Sequence, residues 1–154
     1  MSTPSQRLAD LGLELPAVVT PLAAYTPALR VGDQVWTSGQ LPMRDGALTV
    51  TGRLGDGVDE ADGVAAARQC ALNALAAAAE AAGGLDRIAR VVKVVVFVAS
   101  DPSFTAQPAV ANGASELIGE VFGSAHARSA VGVAVLPLNA PVEVEIVAEL
   151  NGQA

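Results

Sequence analysis

The stretch from Ile88 to Ala99, Ile-Ala-Arg-Val-Val-Lys-Val-Val-Val-Phe-Val-Ala, constrains the fold more than any other part of the chain. Val and Ile are stiff at the first side-chain torsion and crowd the preceding turn of a helix, whereas a pleated strand accommodates them. Gly83-Gly84 punctuates the chain before the stretch and Asp101-Pro102 turns it afterwards. A nearly unbroken apolar run of this kind suits a central strand covered on both faces.

The flanking segments show helical spacing. Glu60 to Ala82 reads as a long helix, with Val64, Ala67, Ala71, Leu75 and Ala78 on one side and Asp62, Gln69, Asn73 and Glu80 on the other. Arg68 falls at the edge of the apolar stripe, where a long side chain snorkels to solvent. Gln107 to Phe122 reads as a second helix with the stripe Val110, Ala114, Leu117, Ile118, Val121 and Phe122; Pro108 is tolerable in its first turn. A short N-terminal helix over Ser5 to Leu13, with Thr3 or Ser5 as its cap, ends by Pro16. Strands are expected at Ala28 to Val31, Gln34 to Ser38, Leu48 to Thr51, Arg128 to Leu136 and Val142 to Leu150. Gly32-Asp33 and Asp45-Gly46 supply tight hairpin turns.

This order defines an α+β domain with a mixed sheet and two helices packed on one face. An N-terminal helix and linker over residues 1–24 precede a domain over 25–154. The other face of the sheet also carries apolar side chains, and association with further copies of the chain is the simplest way to cover it. A length of 154 residues fits one domain with a sizeable core. Much of the 51% hydrophobic content is Ala and Val and only 3% of residues are aromatic, so the elements pack closely with few large anchors.

Several classes of function are disfavoured. A net charge of −7 without a basic run argues against nucleic-acid binding. Cys70 is the only cysteine, which precludes an internal disulfide and a Cys-rich metal cage; a buried, inert thiol is expected. No stretch approaches the ~20 apolar residues of a membrane helix, and the first residues lack a signal-peptide core, so a cytoplasmic protein is expected. His126 is the only histidine. A two-histidine ribonuclease, a His-Glu-x-x-His metal site, a Gly-x-Ser-x-Gly elbow and a phosphate loop are all absent from the sequence.

The segment His126-Ala-Arg-Ser-Ala-Val-Gly-Val-Ala-Val-Leu-Pro137 holds the candidate chemistry. Strand periodicity puts Arg128, Ala130, Gly132, Ala134 and Leu136 on one face, with open space expected beside the guanidinium. Its rigid fork of donors suits a carboxylate or phosphate. The alternative is a structural ion pair with a nearby Glu. On the last strand Glu143, Glu145 and Glu149 share a face; that face is either simply solvated or supplies a base or water-orienting carboxylate. Ser38 lacks an evident His partner, so its hydroxyl is expected to bond a ligand or the turn. His126 reads as an ordinary loop residue.

Four stretches together resemble the Rid family, also known as YjgF and by the label endoribonuclease L-PSP. They are Thr37-Ser38-Gly39-Gln40-Leu-Pro42, Arg68-Gln69 with Asn73, Val91 to Val98, and Ala127-Arg128-Ser129 through Leu136-Pro137 to Val142-Glu143-Val-Glu145. The resemblance runs from about Tyr25 to Leu150, and the N-terminal helix is similar to that of a longer subgroup. It implies a chorismate-mutase-like fold and a homotrimer with an inner β-barrel and ligand sites between subunits. It also implies hydrolysis of 2-imino acids and their enamine tautomers to 2-keto acids and ammonia, without metal or cofactor.

Under the resemblance, Arg128 binds the substrate carboxylate and Glu143 helps to place the attacking water. Ser38, Gly39, Tyr25 and Asn112 line the pocket, and Ala130, which stands where the family often has Cys, contacts substrate or water through its backbone. Three departures stand out: the entry segment Ala23-Ala24-Tyr25-Thr26-Pro27, His126 in place of Pro, and Ser115 in place of a Tyr three residues after Asn112. The expected function is an imine/enamine deaminase. The alternatives are a regulatory trimer that binds small carboxylates, or another hydrolase of a catabolic intermediate; a ribonuclease ranks last.

Overall fold

The computed structural model describes residues 1–18, 20–21 and 24–152. Its centre is the Val-rich strand β7 (Ile88–Ala99), antiparallel to β9 (Val142–Leu150) on one side and parallel to β8 (Ala127–Val133) on the other. Strand β2 (Gln34–Thr37) pairs with β9, and β1 (Ala28–Val31) pairs with β2, giving the order β1-β2-β9-β7-β8. Parallel neighbours need a long crossover, and helix α3 (Gln107–Phe122) supplies it between β7 and β8. Helix α2 (Glu60–Ala82) lies beside α3 on the same face of the sheet. The architecture is the expected α+β fold with a mixed sheet.

Both long helices keep the expected bounds because their ends are signalled locally. The Asp59 side chain accepts from the Asp62 amide to cap α2, and the helices stop at Gly83 (φ 88°) and Gly123 (φ 67°), both left-handed. Small residues let the helices approach. A Cβ at Gly113 would run into the Val64 carbonyl, and one at Gly63 would press on Leu54 and Val110. Between helices and sheet lie Val94, Val96, Val98, Val144, Ile146, Leu75, Leu117 and Ile118, all at most 2% exposed. Each such side chain contributes about 1.5–3 kcal/mol by leaving water.

Some expectations are corrected. Helix α1 (Pro4–Asp10) ends earlier than Leu13, because Gly12 turns left-handed at φ 74°. Thr3 is its cap, with Gln6 completing a capping box. Ser5 binds Asp86 through N (2.8 Å) and Oγ (2.6 Å), and Leu8 enters the main core. The strand expected over Leu48 to Thr51 is only β4 (Ala47–Leu48), paired with β3 (Met43–Arg44) in a hairpin separate from the main sheet. Its turn residues Asp45 and Gly46 both have positive φ, as a type I′ turn requires. The glycine-rich loop closes through two-residue strands, β5 (Arg53–Leu54) and β6 (Gly57–Val58). Strand β8 stops at Val133 instead of Leu136, because its partner β7 runs out at Ala99.

The Val run is covered on one face only. Val91, Val94, Val96 and Val98 are buried under the helices, whereas Lys93, Val95 and Phe97 point to the opposite, uncovered face. There they join Leu29 (60% exposed), Trp36 (52%) and Val131 (45%) across the registered strands. The wheel position of Asn73 also misleads. It is 3% exposed, and its amide donates to the carbonyls of Leu41 and Met43, both at 2.9 Å, holding the β3 entry against α2. Arg68 reaches Glu120 of α3 at 3.5 Å as well as solvent.

Candidate functional site

Arg128 stands near the start of β8, the edge strand, opposite Val94 of β7, which in turn is opposite Ile146 of β9. Registered neighbours share a face, so Arg128 points to the helix side. Asn112 and Ser115, one helical turn apart on α3, meet it. Arg128 Nη1 donates to Asn112 Oδ1 at 2.8 Å and to Ser115 Oγ at 3.2 Å. Among the described residues Arg128 has no ion-pair partner, so neutral groups and not a Glu hold it. Among those residues Nε and Nη2 also make no hydrogen bond, which leaves one side-on edge of the guanidinium with two parallel donors. That edge matches the two oxygens of a carboxylate.

The room expected along this face is partly filled. A Cβ at Gly132 would meet Gln107 Nε2 and Ser100 Oγ, each at 2.9 Å. Gln107, from the first turn of α3, therefore closes the far end of the face. Ala130 packs against the core between that closure and Arg128.

His126 is not the ordinary loop residue expected. Its Nε2 lies 2.9 Å from Ser115 Oγ, and its Nδ1 is buried with no hydrogen-bond partner among the described residues. Ser115 Oγ accepts from Arg128 Nη1 and makes a second hydrogen bond with His126 Nε2, so the three side chains form one connected chain. Burial first, and the Arg128 charge second, hold the imidazole below its ordinary range, in the neutral form at pH 7. The sequence carried a signal for this cluster: the family's Pro and Tyr are both replaced here, by His126 and Ser115, and the two replacements touch.

The remaining candidates form a second group. Glu143 lies opposite Phe97, which is opposite Val131, and so points to the uncovered face. Its carboxylate sits against Gly39, where any Cβ would collide with Oε1. A side chain at position 39 would displace the Glu143 carboxylate from this position. Burial first, and neighbouring Glu145 second, push the Glu143 carboxyl above its ordinary range. Ser38 donates to the Thr26 carbonyl at 2.7 Å, fixing the turn beside β1, and Tyr25 next to that turn is 57% exposed. The other two strand carboxylates differ from Glu143. Glu149 pairs with Arg90 at 2.6 Å, and Glu145 lines a cavity of about 320 Å³ with Trp36, Lys93 and Val95 on the uncovered face.

One chain thus carries two half-sites. Arg128, Asn112, Ser115 and His126 lie on the helix side of the sheet edge; Glu143, Gly39, Ser38 and Tyr25 lie on or beside the uncovered face. Strand β7 separates Arg128 from Glu143, and their register positions differ by the three residues from Val94 to Phe97; two strand spacings across and three residues along put their backbones roughly 14 Å apart. The chain alone does not bring them together. Cys70 is fully buried, its Sγ donating to the Val142 carbonyl at 3.4 Å; burial first, and the Glu143 charge second, raise its pKa well above the ordinary value. Among the described residues no cluster of His, Cys, Asp and Glu is placed to hold a metal, and no helix is long and apolar enough to cross a membrane.

A mixed five-stranded sheet backed by two helices, with an edge-strand arginine tied to the crossover helix, defines an α+β protein of the chorismate-mutase-like class. The chain belongs to the YjgF (Rid) family: the family model described as "YjgF/chorismate_mutase-like, putative endoribonuclease" matches residues 5–150. It is 50% identical to Protein TCP17 of Trypanosoma cruzi over 94% of this chain and 92% of that one. It is 34% identical to a 2-iminobutanoate/2-iminopropanoate deaminase of Dermatophagoides farinae over 86% of this chain and 91% of that one. A crystal structure of a protein of unknown function from Agrobacterium tumefaciens superposes with a TM-score of 0.89 at 45% identity, covering 96% of this chain and 92% of that one.

Proposed function

We propose that the protein hydrolyses small 2-imino acids and their enamine tautomers to 2-keto acids and ammonia. The observation that carries the reading is the guanidinium of Arg128: neutral side chains of α3 hold Nη1 and leave the Nε–Nη2 edge to a carboxylate. The relative named a 2-iminobutanoate/2-iminopropanoate deaminase supports the reaction class. The site is completed between copies of the chain. Arg128 of one copy anchors the substrate, and Glu143 of a second, with Gly39, Ser38 and Tyr25, places the water. The uncovered apolar face, with Leu29, Trp36 and Val131 exposed, supports a homotrimer built on the sheets. The contribution to rate is mainly to hold imine and water together, since the bond is hydrolytically labile.

Ammonia release from freshly generated 2-iminopropanoate and 2-iminobutanoate tests this reading. Turnover of both above the buffer rate is expected. Release at the buffer rate, with 2-oxobutanoate still bound through Arg128, refutes it in favour of a carboxylate-binding trimer. That second reading rests on the same free edge of Arg128, which binds a carboxylate whether or not Glu143 is brought to it.

A further inference from the structure

Arg128 is held at one nitrogen and free at the opposite edge. Nη1 donates to Asn112 Oδ1 at 2.8 Å and to Ser115 Oγ at 3.2 Å, and each N–H of that nitrogen has its own acceptor. Two acceptors on one nitrogen fix the plane of the guanidinium, which lowers the ordering cost of a two-point contact on the Nε–Nη2 edge. A carboxylate there lies across the guanidinium from Ser115, so α3 acts on it only through the orientation and charge of Arg128. Ser115 Oγ has one further contact, His126 Nε2 at 2.9 Å. That contact orients the hydroxyl whichever of the two atoms donates. Anchoring a carboxylate uses Arg128 alone and leaves the histidine without a part.

We propose that His126 is a positioning residue for the carboxylate anchor: through Ser115 it fixes Nη1 of Arg128, and the protonation of its ring is coupled to occupancy of the opposite edge. The proposal rests on the assignment of that edge to a carboxylate, which the deaminase reading and the carboxylate-binding reading share. Without the hydroxyl, or the ring that orients it, Asn112 holds Nη1 alone and the guanidinium swings about one bond.

The coupling follows from what protonation does to the cluster. An imidazolium must donate through both nitrogens. Nε2 would then share Ser115 Oγ with Arg128 Nη1, two cations on one hydroxyl oxygen, and Nδ1 would be a buried donor without a partner among the described residues. Of the other charged groups, Glu116 follows Ser115 on α3 and is exposed, and Lys93, opposite Ala127, points to the uncovered face. Arg7 of α1 lies against Gly123, at the start of the turn that leads to His126. Arg128 is the charge that acts on the ring, after burial. An anion on Arg128 cancels part of that charge, so occupancy raises the pKa of His126. By linkage the carboxylate binds more tightly as pH falls through that pKa.

The probe is 2-oxobutanoate, titrated into the untagged, assembled protein by calorimetry and by nuclear magnetic resonance, where the only histidine gives one ring signal. In the parent the ring should titrate below the ordinary range of histidine, and saturating 2-oxobutanoate should raise its pKa. Ser115→Ala should weaken binding about fivefold to tenfold at pH 7.5, the loss of one hydrogen bond on the anchor, and Ser115→Thr should restore it. His126→Ala should match Ser115→Ala. His126→Gln, with a neutral polar group near the place of Nε2, should bind like the parent at pH 7.5 and lose the tightening that the parent shows toward about pH 5. Tightening that remains in His126→Gln belongs to the Glu143 carboxyl, whose pKa is raised. A histidine that only braces the turn would change Tm in these variants without a ligand-dependent pKa. Ser115→Ala binding as tightly as the parent overturns the positioning role and leaves the anchor standing, and a ring pKa unmoved by the ligand overturns the coupling. A parent that binds no 2-oxobutanoate refutes the anchor and the positioning role together. The readout is binding, so the role of His126 is decided whether or not the imine is turned over.

Discussion

Replacing Arg128 by Lys separates an anchoring role from a structural one. In the structure Arg128 is half-buried and makes two hydrogen bonds, both to neutral partners, Asn112 Oδ1 and Ser115 Oγ. No buried carboxylate is abandoned when it is changed, so the large penalty for orphaning an ion does not arise. A net hydrogen bond contributes about 1 kcal/mol, and Lys recovers part of the loss through its own ammonium. Arg128→Lys should therefore cost about 1 kcal/mol, or roughly 2–4 °C in Tm for a domain of this size. Catalysis should respond differently. Lys keeps the charge but has no planar edge, so the two-point grip on a carboxylate is lost. A loss of about 2–4 kcal/mol in transition-state stabilisation corresponds to roughly 30- to 1000-fold in kcat/KM. Thermal unfolding and imine turnover on the same preparation check both numbers. A Tm drop beyond about 10 °C with turnover retained in the folded fraction would show that Arg128 is a structural residue.

Three further outcomes follow from the packing. Asn73→Ala removes two amide hydrogen bonds, to the carbonyls of Leu41 and Met43, which keep the Met43 amide and the Gln69 side chain as donors; it should cost about 1–2 kcal/mol, seen in chemical denaturation, and an unchanged midpoint would mean that water replaces the amide. Glu143 has a folded-state pKa above its unfolded one, so its charge opposes folding above the folded pKa, and stability is gained as pH falls through that value. Glu143→Gln should thus raise Tm at pH 7.5, with the advantage shrinking toward pH 4; an equal gain at both pH values would refute the titration argument. Placing a charge on the uncovered face with Trp36→Glu or Val131→Glu should dissociate the assembly, read by light scattering against a parent of trimer mass; a monomeric parent at micromolar concentration would remove the basis for a shared site.

What was legible in the sequence depended on local signals. Asp59, Gly83 and Gly123 fix the two long helices through backbone geometry, and the bounds of α2, α3, β7 and β9 agree with the pattern residue for residue. Elements whose ends depend on a partner were not readable: β8 ends where β7 ends, and the stretch after Leu48 makes one further backbone bond, Thr49 N to the Pro42 carbonyl at 3.0 Å, before it leaves the β3–β4 hairpin. Asn73 looked like part of a polar face because a wheel shows only direction, not the loop at residues 41–43 that packs there. The site was legible as residue types but not as an arrangement. Arg128 and Glu143 are both signalled by their strand motifs, yet their opposite orientation follows from β7 lying between β8 and β9, which is topology. His126 and Ser115 were each visible as departures from the family, but their contact depends on how α3 lies over the edge strand.

The separation of the half-sites makes a complementation experiment decisive. Arg128→Lys disables the anchoring half of every copy that carries it and leaves Glu143 intact; Glu143→Gln does the reverse. If a working site draws Arg128 from one copy and Glu143 from a second, trimers reassembled at random from equal amounts of the two inactive proteins regain some sites. A site works only when its Arg128 comes from a Glu143→Gln copy, probability one half, and its Glu143 from an Arg128→Lys copy, again one half. Turnover should therefore recover to about a quarter of the parent value after unfolding and joint refolding, and not after simple mixing of stable trimers. If both residues serve from the same copy, every site in the mixture lacks one of them and no recovery is possible at any ratio. The register that places Arg128 with Ile146 and Glu143 with Val131 favours the first outcome. Absence of recovery in trimers shown to be mixed by mass would require the carboxylate and the guanidinium to meet around the edge of β8 within one chain.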